Sequence, residues 1–178
     1  MLSRLALLIV AALFVTTSAS ADSAGDIDQG VDSTLARFKA EVSGSEKLLQ
    51  SASATLVFPN VIKAGFGIGG EYGEGALRVA GKSAAYYSTA AASIGLQIGA
   101  QSKAVIVVFL DKKALADFRN ADGWEVGVDG SVAVVKVGAG GSIDTTNIKD
   151  PIIGFVMTNA GLMFNLTLEG SKFTRLDK

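Results

Sequence analysis

Between Ala64 and Gln101 the chain runs A-G-F-G-I-G-G-E-Y-G-E-G-A-L-R-V-A-G-K-S-A-A-Y-Y-S-T-A-A-A-S-I-G-L-Q-I-G-A-Q, and nine of these 38 residues are glycine. Apolar residues alternate with small or polar ones, the period of a strand rather than a helix. Glycine leaves a strand face without bulk, so something else must lie close against it. Gly65, Gly67 and Gly70 also spell G-x-G-x-x-G. A dinucleotide site needs that motif to open a helix whose first N–H groups face the phosphates. Glu71-Tyr72-Gly73-Glu74-Gly75 follows here, which is no helix start. The stretch therefore predicts strands, and no cofactor.

The same glycine excess runs through the whole chain, at 21 of 178 residues. Hydrophobic residues make up 49% and charged residues 19%, which fits one globular domain with a real core. The first 21 residues are set apart. Arg4 precedes an apolar run from Leu5 to Val15, and Ala19-Ser20-Ala21 supplies a small-residue cleavage site before Asp22. An 11-residue run is too short to span a bilayer as a helix, so residues 1–21 are expected to be a cleaved signal peptide. The mature chain then starts at Asp22 in a periplasm or cell envelope. No Cys follows to carry a lipoprotein anchor. Its net charge of about −2 gives no support for nucleic-acid binding or for broad adhesion to anionic membranes. With no Cys and no His, the chain lacks disulfides, the commonest metal ligand and the commonest general base.

Residues 22–30 read as a short, acidic, flexible leader. Asp26, Asp28 and Asp32 match positions of a calcium loop, but the required Gly and Glu are missing. From Val31 onward Val31, Leu35, Phe38 and Val42 form one helical stripe, and Ser45 is placed to cap a second turn bearing Leu48 and Leu49. Thr55–Phe58 is a strand candidate closed by Pro59-Asn60, and Gly81-Lys82 a turn. Ala104–Leu110 is apolar enough for a central buried strand. Asp111 can cap a short helix to Arg119, with Leu115 and Phe118 turned inward. Trp124 opens an expected hairpin around Asp129-Gly130, with Val132–Val137 returning. Ile152–Met157 and Leu162–Leu168 read as a last hairpin, and Phe173 breaks its parity, predicting a bend. Asn165-Leu166-Thr167 is a glycosylation sequon by pattern only. These elements predict an α+β domain over residues 31–178. It comprises a twisted, partly closed antiparallel β-sheet, an N-terminal helical segment and one short additional helix.

Four blocks carry a family likeness: G-I-G-G-E-Y-G-E-G-A-L-R-V (Gly67–Val79), Y-Y-S-T-A-A-A-S-I-G-L-Q-I-G-A-Q (Tyr86–Gln101), G-W-E-V-G-V-D-G-S-V (Gly123–Val132) and G-L-M-F-N-L-T-L-E-G-S-K-F-T-R-L (Gly161–Leu176). In this order they resemble the SYLF domain, whose members include yeast actin-patch regulators, animal phosphoinositide binders and exported bacterial proteins. The resemblance implies a lipid-binding domain and no enzyme. The basic amphipathic helix of the eukaryotic members is absent here, because Asp32, Arg37, Lys39 and Glu41 balance. A periplasmic address also leaves no actin to meet.

On this reading the partner is a phospholipid or membrane surface. An acyl chain lies against a face without large side chains, with a cation near the phosphate. The candidate lipid-binding residues are Lys63, Arg78, Lys82, Tyr86, Tyr87, Trp124, Lys172 and Arg175, each of which also fits as an ordinary surface charge or a half-buried aromatic. The alternative is a structural or self-assembling envelope protein, a homo-oligomer joined through edge strands without a lipid ligand. A hydrolase using Glu71 and Glu74 is disfavoured, since i and i+3 on a strand point to opposite faces.

Overall fold

The computed structural model describes residues 22–135, 143, 148–158, 161–163 and 168–178, with the side chains of all these except 66, 67, 93–100, 162 and 163. The expected signal peptide (residues 1–21), the expected 138–141 loop, the expected turn at Asn159-Ala160 and residues 164–167 lie outside the described residues. Within them the order is α1 (Ala24–Glu41), α2 (Ser45–Ser51), β1 (Ala54–Val79), β2 (Lys82–Phe109), α3 (Lys112–Asn120), β3 (Trp124–Glu125), β4 (Ala133–Val134), β5 (Ile152–Thr158), β6 (Gly161–Met163) and β7 (Lys172–Leu176). The class is α+β, with helix at the N-terminus and a curled sheet.

The stretches read as separate short strands are two long ones. β1 has 26 residues and β2 has 28, paired antiparallel from Ala54↔Phe109 to Val79↔Lys82. Pro59-Asn60 does not end a strand; it makes an irregularity in the ladder between Phe58 and Val61. The turn is Ala80-Gly81, one residue earlier than expected, and both have positive φ (48° and 78°), as a two-residue type I′ connection requires. The free edge of β2 is shared. Its first part, Tyr86–Ala90, pairs with β7, which carries β3. Its last part, Ala104–Phe109, pairs with β5, which carries β6. β4 joins β5 in parallel, so the sheet is mixed where an antiparallel one was expected.

At about 3.3 Å per residue a straight β1 would span roughly 85 Å, about twice the width of a domain this size. The hairpin therefore folds back on itself, and the glycines make the fold-back possible. A Cβ on Gly73 would lie 2.7 Å from the Asn60 carbonyl oxygen, and one on Gly75 would lie 2.1 Å from that of Val57. The bare face of β1 is filled by the other half of β1. No room is left there for an acyl chain.

Two cores result. Leu56, Phe58, Leu77, Tyr87, Val105, Val107 and Phe109 face inward between the halves of the curled sheet, and α3 inserts Phe118 among them. Phe118 meets Tyr87 and Phe109 at 4.9 Å and Trp124 edge-on at 5.7 Å, while Trp124 stacks on Phe173 at 5.9 Å. Val57, Ala76, Ile106, Val108, Ile153 and Phe155 face outward and are covered by Ile27, Val31 and Phe38 of α1. Asp111 caps α3 through the Ala114 N–H, as expected.

Three local expectations fail for identifiable reasons. Residues 22–30 are not a mobile leader, because a Ser23–Asp26 capping box starts α1 at Ala24 and Ile27 extends the buried stripe by one turn. Ser45 does not cap α2; its hydroxyl donates to the Val42 carbonyl at 2.6 Å, at the end of α1. The hairpin after Trp124 is absent. Glu125 pairs with Lys172 of β7, and Asp129 accepts the Glu125 N–H in a compact turn. Aromatic packing of Trp124 on Phe173 outweighs the local turn signal. The bend expected near Phe173 is a turn at Glu169-Gly170 that carries the chain to the other half of the sheet.

The fold-back makes a testable distinction between glycines. Gly75→Ala is expected to cost about 2 kcal/mol or more and lower Tm by roughly 5 °C or more, because the obstacle is backbone. At Gly70 the nearest atom to a new Cβ is 3.7 Å away, so Gly70→Ala should leave Tm within about 1 °C. Thermal melts of the two variants check this.

Candidate functional site

Ile62, Ile68, Tyr72, Glu74, Ala76 and Arg78 point to the outer face of β1, and the helices decide which of them are covered. α1 lies over Ala76 and Arg78. The Arg78 guanidinium is 2.8 Å from Asp32 and 3.6 Å from Asp28, and it donates to the Asp28 carbonyl. Asp28 also accepts from the Ser83 hydroxyl at 2.6 Å and the Tyr86 hydroxyl at 3.1 Å. Arg78 and Tyr86 are thus brought together, with exposed Lys82 at the nearby turn, but they hold α1 in place. Beside them a cleft of about 360 Å³ runs between α1, α2 and the Ala80-Gly81 turn, floored by Leu35, Leu49, Ala52 and Ala54 and flanked by Lys39 and Arg78. Its arginine is already neutralised by Asp28 and Asp32, although Nε is buried without a hydrogen-bond partner.

The remaining candidates do not converge. Lys63 reaches Glu71 at 3.8 Å on the inner face of the folded hairpin, where Lys103 holds the same carboxylate at 2.6 Å. Tyr87 and Trp124 are core residues and not interfacial ones. Burial pushes the Tyr87 phenol up, although Arg175 and Arg119 nearby work the other way. Lys172 and Arg175 are exposed on β7, at the opposite edge of β2 from β1. Glu71 and Glu74 occupy opposite faces, each in its own ion pair. Among the described residues no three acidic groups stand where they could hold a metal ion.

The surface that sequence reading missed lies at the apex. β1 reverses between Gly65 and Gly69, whose backbones touch, and there Ile68 is 77% exposed, with Ile62 at 48% and Tyr72 at 52%. Ile68 pairs with Ile94 in the ladder, so the I-G-L-Q-I segment of β2 runs through the same apex. The available signal was a bulky residue between glycines, which has no same-strand neighbours to shelter it.

Glu74 is the other feature of this face. Burial works to raise its pKa, but hydrogen bonds from Lys178 (2.7 Å) and Tyr72 (2.8 Å), the Lys178 charge and the Asp22 backbone N–H outweigh it and hold the carboxyl below its ordinary value. Tyr72 is correspondingly pushed up to about 12, by burial first and then by Glu74 and Asp22.

The chain is thus a curled α+β domain with a folded-back long hairpin, an ion-paired outer face and an apolar apex. Residues 90–178 match the Ysc84 (SYLF) family model, described as Las17-binding protein actin regulator. The match spans half of the chain, and the protein belongs to that family. No curated protein matches it.

Two variants test the roles just given. Arg78→Met should unpin α1 and lower stability by about 2 kcal/mol in chemical denaturation. For Glu74 the folded pKa is depressed, so its contribution is present above the unfolded value near 4.5 and disappears as pH falls through the lower folded value. The stability gap between wild type and Glu74→Gln should be constant from pH 7 to 5.5 and close below pH 4.

Proposed function

We propose that the protein is an exported, non-enzymatic domain that binds phospholipid membranes through the apex of the folded hairpin. The observation that carries this is the exposure of Ile62, Ile68 and Tyr72 on one face of β1, while both cores are filled. Large apolar side chains held out on a rigid element favour a partner that takes them out of water. A tyrosine at their rim suits the headgroup level. The cleft beside α1 is the weaker site, since its cation is matched by carboxylates. Lipid binding is also what the SYLF resemblance implies. The family description names a Las17-binding actin regulator, and for an exported chain that partner is not carried over.

The charge balance sets the expected selectivity. With about −2 overall, binding should depend on apolar insertion and only weakly on lipid charge. Co-sedimentation of the mature protein with neutral phosphatidylcholine vesicles and with vesicles containing phosphatidylglycerol should therefore give comparable bound fractions. Ile62→Asp/Ile68→Asp should lower both at least about 10-fold with Tm unchanged. Absence of binding to either vesicle type would end this reading.

One observation favours self-assembly instead: among the described residues β1 has a hydrogen-bonded neighbour on one edge only. An unpaired long edge is a template for another chain. Light scattering of the same sample separates the two, since an assembly through that edge predicts a dimer or larger species without lipid.

A further inference from the structure

Glu74 is a carboxylate only 8% exposed, and its two hydrogen-bond donors come from separate parts of the chain. Tyr72 donates to Oε1 at 2.8 Å from the same strand, and the Lys178 ammonium donates to Oε2 at 2.7 Å from the far C-terminal end of the sequence. The backbone of Asp22 stands next to this pair, and its N–H helps to hold the carboxyl below its ordinary value. Lys178 also donates to the Asp22 carbonyl, and the Asp22 carboxylate is near enough to act on Tyr72. The cluster therefore holds two carboxylates, Glu74 and Asp22, against one ammonium. One positive charge is missing from it.

The nitrogen of Asp22 is the atom that cleavage between Ala21 and Asp22 would change. Before cleavage it is a neutral amide with one proton. Hydrolysis of that peptide bond leaves the carboxyl on Ala21 and gives Asp22 an α-ammonium with three protons and a unit charge. We propose that the Glu74 carboxylate is the docking site for the α-ammonium of the mature chain, so that removal of the leader completes the cluster and fastens the start of α1 to β1. The proposal rests on the reading of residues 1–21 as a cleaved leader. An ammonium at hydrogen-bond distance from a buried carboxylate makes a charge-assisted bond, roughly twice as strong as a neutral one. The position matters as well as the charge. Ser23, the next residue, caps α1, and Asp28 and Asp32 grip Arg78 further along the same helix. A docked Asp22 therefore holds the first turn of α1 in register with the strand beneath it, and a chain still carrying its leader lacks that hold.

The test compares chains that differ only at this nitrogen. A removable tag cut directly before Asp22 yields Asp22–Lys178 with a free amine, and a second preparation carries a Gly-Ser extension before Asp22. The free-amine chain should melt about 2–4 °C higher, and in the Glu74→Gln background the two should melt together. Equal melting of the two wild-type chains overturns the proposal, as does an undiminished gap in Glu74→Gln. If Glu74→Gln does not fold, the Asp22 α-amino group is titrated by NMR in the wild-type chain. A pKa raised above the ordinary 7.7–8.0, with Glu74, Tyr72, Lys178 and the Asp22 carboxylate as its neighbours, supports docking, and an unshifted value overturns it. N-terminal sequencing of protein exported by its own cell tests the leader reading separately. A first residue other than Asp22 overturns the link to maturation whatever the melting curves show.

Discussion

Everything in this molecule follows from a hairpin that is too long to be straight. Two strands of 26 and 28 residues cannot lie extended within a single small domain. They fold over, and the two halves of β1 meet backbone to backbone. Only residues without a Cβ permit that contact, which is why glycines stand where the strands cross and why the inner core opens only where the halves diverge. The aromatic cluster around Phe118 fills that opening. α3 starts where β2 ends, and it seals the inner core with Phe118, with Ala114 and Leu115 packed beside it.

The outer face carries a different logic. Folding the hairpin leaves its convex side to water, and α1 covers only part of it through Ile27, Val31 and Phe38. The polar residues of β1 next to that covered strip are spent on attachment: Arg78 on the α1 carboxylates, Glu74 on Lys178 and the residue before the helix cap. Asp28 and Asp32 are the exposed members of these pairs, whereas Arg78, Glu74 and Lys178 are nearly buried. Their value is positional, because a helix laid on a curved apolar surface can otherwise slide. Arg78, which looks available for phosphate in the linear sequence, is thereby withdrawn from it.

Local chemistry was legible in the sequence, and long-range geometry was not. The α3 cap at Asp111, the apolar stripe of α1, the buried strand at Ala104–Phe109 and the rejection of a phosphate loop all rest on period and capping, which act within a few residues. The continuity of β1 through Pro59-Asn60 was hidden, because a ladder irregularity and a strand end have the same composition. The Trp124 hairpin was lost to a partner more than 40 residues away, Phe173, that no short-range pattern names. Tyr87 and Trp124 were read as interfacial because an aromatic with a polar handle fits both a membrane boundary and a core. Sequence alone does not say which side of the curl it faces.

The apex is what this division leaves over. Gly65 and Gly69 bring the chain around so tightly that their backbones meet, and α1 covers β1 at Ala76, well away from that reversal. Ile68 consequently keeps most of its surface in water and Ile62 and Tyr72 about half of theirs, although alternation places Ile62 and Ile68 on the same outer face as well-buried Ala76. Water-exposed isoleucine on a rigid strand is unfavourable by roughly the burial it forgoes, about 1.5–3 kcal/mol for each side chain. A reversal built from serine or threonine would close the same glycine contact without that cost. The isoleucines therefore add nothing to the fold-back itself, and their free energy is recovered only when a second apolar surface, which in the proposed function is a bilayer, comes to cover them.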